Sequence, residues 1–292
     1  MSGFEILDRE LLRRFPLPRH PEDGDKEDRG RLLVVAGSRE LAGAALLAGT
    51  GGLRAGAGKL QIVTGASVAP ILSIAMPEAR VVGCAETDEG CIAAGEIEPI
   101  LNWVESAQAT VIGCGLQHGP PLDDLLDALF ESGLDKPLVL DAAVLGSLAP
   151  RAEALRAWKG GSILLPHARE MARMLECEVE EVEADPLAAA RRAAETFGSV
   201  SLIKGRYSHI VAPDGRAFRL TGGGVGLATS GSGDALAGIV GGLAARGADP
   251  LTAALWGIHL HAEAGRALAG RIGRIGFLAR ELLDEVPGLM ES

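Results

Sequence analysis

The stretch GGGVGLATSGSGDALAGIVGGLAARG, Gly222 to Gly247, decides how this chain is read. Its first half carries too much glycine for a core strand or helix, whereas its second half is an apolar, small-residue run that suits a helix. Gly231, Ser232 and Gly233 stand immediately before the first helical turn, where backbone N–H groups have no intrahelical partner. The helix dipole contributes about 0.3–1 kcal/mol toward a negative charge there, and glycine lets a phosphate approach without a Cβ in the way. The loop therefore reads as a phosphate cradle. Asp234 follows at once, either as a helix cap or as a carboxylate that handles a proton or helps to position a metal. The other common nucleotide loops are absent, since no GxxxxGK[ST] occurs and no GxGxxG follows the first strand.

Outward from this loop the chain repeats one pattern. RLLVVAG, KLQIVTG, ARVVGC, ATVIGCG, KPLVLDA, GSILLPH and VSLIKG are short apolar runs, mostly separated by helical stretches such as PPLDDLLDALFESG and DPLAAARRAAETFG. Continuous apolar strands alternating with helices predict an α/β fold, a doubly wound and mostly parallel central sheet flanked by helices in a single domain. Pro213-Asp214-Gly215, between two short strand candidates, predicts a hairpin near the sheet edge. Ligands of such sheets sit beyond the carboxyl ends of the strands. That places Gly37-Ser38, Gly113, Gly115, Asp141, Pro166-His167 and Lys204-Gly205 around one expected crevice. Residues 1–30, charged and punctuated by proline, read as an exposed lead-in, with residues 31–292 as the domain.

Composition narrows the partners. A formal net charge of −11 and an aromatic content of 3% argue against nucleic acid or an anionic membrane, so an anionic ligand needs a local site. Neither a signal-peptide core nor about 18 uninterrupted apolar residues is present, which sets the expectation of a soluble cytoplasmic protein. Cys84, Cys91, Cys114 and Cys177 form no CxxC pair and read as four buried thiols in a reducing compartment. His259 and His261 lie two apart on a predicted helix, point to different faces and read as ordinary helix residues.

GxGD opening a small-residue helix late in such a chain resembles the ribokinase-like superfamily, and LATSGSGDALAGIVGGLAARG is most similar to its ADP/ATP-dependent NAD(P)H-hydrate dehydratase family. VVAGSRELAGAALLAGTGGLRAGAGKLQIVT, MPEARV, VIGCGLQ, VLDAAVL, LLPHAREMARML and LIKGRYSHIVAPDG resemble further landmarks of that family, in order and over nearly the whole chain. The resemblance implies repair of hydrated NADH or NADPH at the expense of ADP or ATP, with Mg²⁺ and a homotetramer. Asp234 would be the base, and the Gly231, Ser232 and Gly233 amides would stabilise charge on the transferred phosphoryl group. Lys204, Gly205, Arg206, Tyr207, Ser208 and Gly233 would hold the nucleotide. Gly43, Ala44, Gly115, His167 and Asp234 would hold the hydrated substrate, and Glu170 would hold Mg²⁺ through water; read from the residues alone, His167 is equally a capping or core histidine and Glu170 a solvent-facing acid of a first helical turn.

The chain departs from the family pattern on the acceptor side. Ala143 stands where a second carboxylate is usual, and Ala168-Arg169 replaces the Pro-Gly of the PHPGE motif. Arg169 is then expected at the mouth of the crevice, facing an anionic acceptor or forming a surface pair with Glu170 or Glu176. Two other classes share these features: a small-molecule kinase of the same superfamily acting on a sugar or vitamin alcohol, and a nucleotide-binding regulatory protein without turnover. Retention of Asp234 argues against the latter, because binding alone needs no base.

Overall fold

Most of the apolar runs become strands buried on both faces, the edge run Ala79–Cys84 being only partly covered, and in the computed structural model, which describes residues 3–21 and 23–291, they lie in one ten-stranded sheet. The strands are β1 (Glu5–Ile6), β2 (Arg31–Val35), β3 (Lys59–Gly65), β4 (Ala79–Cys84), β5 (Ala109–Ile112), β6 (Leu138–Leu140), β7 (Ser162–Leu164), β8 (Val200–Ile203), β9 (Tyr207–Val211) and β10 (Ala217–Thr221). Their order is β1-β10-β9-β8-β7-β6-β5-β2-β3-β4. From β2 to β8 every neighbouring pair is parallel, and the predicted hairpin is the antiparallel pair β9 and β10. The chain steps from β2 out to β4, then returns to place β5 on the other side of β2. This reversal opens a crevice at the carboxyl ends of β2 and β5.

Alternate residues of each strand serve two cores. Leu32, Val34, Ile62 and Val111 pack under the helices Ala42–Arg54, Ser232–Ala245 and Pro250–Arg271. On the opposite face Leu33, Val35, Ile112 and Leu140 pack under Ile97–Ser106, Pro120–Glu131, Ala168–Leu175 and Pro186–Phe197. Glycines in the opening stretch serve the first of these layers. A Cβ on Gly238 would sit 2.1 Å from the Ala48 carbonyl oxygen, so Ser232–Ala245 lies backbone to backbone against Ala42–Arg54. That contact fixes the depth at which the helix start meets the crevice.

The N-terminal segment corrects the expectation of an exposed lead-in. β1 pairs with β10, and Leu7, Leu11 and Leu12 are buried. Phe15 packs edge to face on Phe218 at 5.6 Å, and its carbonyl accepts from Trp256 Nε1 at 2.7 Å. Residues 5–15 thus cover the β10 edge and its underlying apolar face, which would otherwise be open for pairing. The following charged stretch, Asp23 to Arg29, is exposed throughout. Among the described residues, no helix is long and apolar enough to cross a membrane.

Candidate active site

The glycine loop delivers its helix uncapped. Gly231, the N-cap, has φ +86°, and a Cβ there would lie 2.5 Å from Leu47 Cδ1, so backbone and packing both require glycine. No side chain caps the first turn. The Ser232 N–H bonds the Thr229 carbonyl at 3.2 Å, and the first helical bond runs from Ala235 N to Gly231 O at 3.0 Å. The Gly233 and Asp234 N–H groups between them have no hydrogen-bond partner among the described residues, which leaves two free donors at the positive end of the helix dipole. Asp234 is the third helical residue and not the cap, which removes the structural alternative for it.

Three strand ends converge on this turn. Lys204, after β8, is half-buried and donates to Asp141 Oδ1, after β6, at 2.9 Å. Cys114, after β5, lies 4.0 Å from Asp141 Oδ2. One donor atom each from Cys114, Asp141 and Asp234 falls within a 4.8 Å cluster. Burial, and then the Asp141 charge, push the Asp234 carboxyl up to about 6, from an ordinary 3.8. Burial alone would pull the Lys204 ammonium down, but the carboxylates of Asp141 and Glu170 outweigh it, so Lys204 is raised and stays charged. The Cys114 thiol is raised well above 9.0, chiefly by burial and then by Asp141 and Asp234, and remains a neutral S–H. A Cβ on Gly233 would lie 3.4 Å from Lys204 Nζ and 3.6 Å from Asp141 Oδ2. Alanine fits at this position in the free protein, so the demand for glycine comes from what must approach the turn.

The remaining predicted residues fall into two groups. Gly115, with φ +65°, would place a Cβ 2.6 Å from Ala44 Cβ, so Gly115 and Ala44 meet across the crevice wall while Gly43 borders open space. Beside them, Ser38, in the loop after β2, has a buried hydroxyl without a partner among the described residues and lines a cavity with Gly37, Cys91, Leu116 and Gln117. His167 caps the helix Ala168–Leu175: its Nδ1 accepts from the N–H groups of Arg169 and Glu170 at 3.1 and 3.3 Å. The Glu170 carboxylate completes the box by accepting from the His167 N–H at 2.8 Å. With Nδ1 accepting, Nε2 carries the ring proton and lies 3.5 Å from Glu170 Oε1. Gly205 and Arg206 are exposed in the turn before β9, Tyr207 is 43% exposed, and Ser208 is buried within β9 opposite Leu220. Arg169 is exposed, and no ion pair to Glu170 or Glu176 is formed among the described residues.

Sequence reasoning missed three features. Cys114 is part of the charged cluster, whereas of the other thiols only Cys84 is buried and Cys91 and Cys177 are half-buried. Lys204 spends its charge on Asp141 before any ligand arrives. His261 is not an ordinary helix residue, since its Nε2 lies 2.9 Å from Ser232 Oγ. For the Mg²⁺ implied by the family, the oxygen donors fit and the thiol does not, because a hard cation takes carboxylate and water ligands. Glu170 acts electrostatically on both Lys204 and Asp234, and so faces the same space.

A switch-point crevice, a bare helix start and a carboxylate in its first turn define an α/β protein of the ribokinase-like type. The NAD(P)H-hydrate dehydratase family model matches residues 32–288, and the chain belongs to that family. The ADP-dependent (S)-NAD(P)H-hydrate dehydratase of Xanthomonas campestris is 47% identical over 284 residues, covering 96% of this chain and 94% of the relative. The enzyme of the same description from Bacillus subtilis is 32% identical over 274 residues, with 94% of each covered. The solved structure of the B. subtilis ADP/ATP-dependent NAD(P)H-hydrate dehydratase, co-crystallized with ATP/Mg²⁺, superposes with a TM-score of 0.84 at 28% identity, covering 99% of this chain and 98% of that one.

Proposed function

We propose that this protein restores hydrated NADH and NADPH to the normal cofactors at the expense of ADP, with ATP as the alternative nucleotide. Hydroxide is a poor leaving group and phosphate a good one, so the hydroxyl is first phosphorylated and then eliminated. Asp234 accepts the hydroxyl proton as the oxygen attacks the terminal phosphorus, and the nucleotide leaves with one phosphate fewer. The Gly233 and Asp234 N–H groups hold the charge on the transferred group, with the Lys204 ammonium beside them; of the expected loop amides, that of Ser232 is already bonded to the Thr229 carbonyl. Loss of a ring proton and departure of phosphate then restore the dihydronicotinamide double bond. The products are the cofactor, phosphate, and AMP from ADP.

The remaining assignments follow the same frame. Gly205, Arg206, Tyr207 and Ser208 hold the nucleotide, while Gly43, Ala44, Gly115 and His167 Nε2 hold the hydrated ring. Glu170 would hold Mg²⁺ through water, and the ion would offset phosphate charge. Residues 31–292 form the catalytic unit of a cytoplasmic homotetramer that needs no nucleic acid or membrane.

The observation that carries this reading is Asp234, with a pKa of about 6, set in a first helical turn whose N–H groups await an anion. The kinase and regulatory alternatives are not favoured, because the relatives that match nearly end to end are described as dehydratases. Incubation with hydrated NADH and ADP or ATP should regenerate the absorbance of NADH. Phosphate transfer to a sugar or vitamin alcohol, with no NADH formed, would support the kinase instead.

A further inference from the structure

An ordinary helix start is fastened by a side chain that accepts from the second or third N–H. Here those N–H groups belong to Gly233 and Asp234, and a cap would occupy the donors a phosphate needs. The turn is nevertheless preceded by the glycine-rich run Gly222 to Gly231, and displacement by about 1 Å at a reacting centre costs on the order of 10² in rate. Something other than a cap must hold it.

His261 on the neighbouring helix Pro250–Arg271 occupies that position. Its Nε2 lies 2.9 Å from Ser232 Oγ and 3.1 Å from the Ser232 carbonyl oxygen. A carbonyl only accepts, so Nε2 carries the proton and reaches both oxygens of one residue, leaving Nδ1 buried without a partner. Burial lowers the His261 pKa to about 4, so the ring adds no charge near neutral pH.

We infer that His261 is a positioning residue that anchors the first turn of Ser232–Ala245 through Ser232, in place of a cap, and so keeps the Gly233 and Asp234 N–H groups free and aimed for phosphoryl transfer. The inference rests on the phosphate-cradle reading proposed above. Removing the anchor affects nucleotide binding and turnover, not the hydrated ring, which docks on the other wall.

The test uses the full chain with ADP and hydrated NADH. His261→Leu should weaken ADP binding at least about tenfold and lower kcat about 10–100-fold, with KM for hydrated NADH within twofold. His261→Gln, which restores an N–H donor at similar reach, should recover to within about threefold. Ser232→Ala should weaken ADP binding in the same direction and add little to His261→Leu, as expected for one shared contact. A folded His261→Leu with parental ADP affinity and kcat would overturn the inference, as would a His261→Gln no better than His261→Leu. If His261→Leu does not fold, Ser232→Ala decides, and unchanged ADP affinity overturns it. Gly233→Val separates the two readings: lost ADP binding there with normal His261 variants removes only the anchor, whereas retained binding removes the cradle and the anchor with it.

Discussion

Asp234 is the proposed base, and its environment makes two expectations at the residue scale. As a base it must be ionised, so kcat/KM should fall about tenfold per pH unit below about 6. Asp234→Asn keeps the shape and removes the base, which should lower turnover by about 10²–10⁴ while ADP affinity, measured by calorimetry, stays within a few-fold. The same burial has a stability cost. The folded pKa lies above the ordinary 3.8, so the folded state holds a proton that the unfolded chain has released, and stability is lost as pH rises from about 4 through about 6. At neutral pH this amounts to no more than about 3 kcal/mol. Asp234→Asn should therefore melt higher than the parent at pH 7 and equal to it near pH 4. Lys204 gives the opposite case: Lys204→Met leaves Asp141 buried without its cation, and denaturant titration should register a loss of about 3–5 kcal/mol. Sequence reading found Asp234, because an acid in a glycine-rich helix start has few ordinary uses. It missed the partners of Lys204 and Ser232, because those contacts close over 63 and 29 residues of chain and leave no local spacing.

At the scale of elements, the helix Ser232–Ala245 acts through where it starts. Gly233→Ala should fold as the parent does, since its Cβ meets ordinary contacts at 3.4 and 3.6 Å, yet should weaken ADP binding by roughly tenfold or more because that Cβ occupies the cradle. Parental affinity would mean that the phosphate binds elsewhere. The strands were legible because parallel strands buried on both faces read as unbroken apolar runs, and β2 to β8 all fall on such runs. The helix start at Ala168 was legible as a helix but not as a capping box. His167 was expected to contact substrate, and half of its ring instead serves the backbone.

The whole molecule depends on a segment whose sequence hid its role. Leu7, Leu11 and Leu12 are interspersed with charges, and β1 is only two residues long, so no periodic pattern marks them. Deleting residues 1–15 removes three buried leucines at about 1.5–3 kcal/mol each and uncovers the β10 edge. The truncated chain should melt well below the parent and aggregate, while kcat per folded molecule is retained, because the site lies at the carboxyl ends of strands far along the sheet.

The central claim is that the nucleotide phosphorylates the hydroxyl that is then eliminated. Hydrated NADH carrying ¹⁸O in that hydroxyl, turned over with ADP, tests it most directly. The account predicts that the label appears in inorganic phosphate, one atom per NADH regenerated. Unlabelled phosphate, with the ¹⁸O released as water, would mean that dehydration and nucleotide cleavage are separate events and would contradict it.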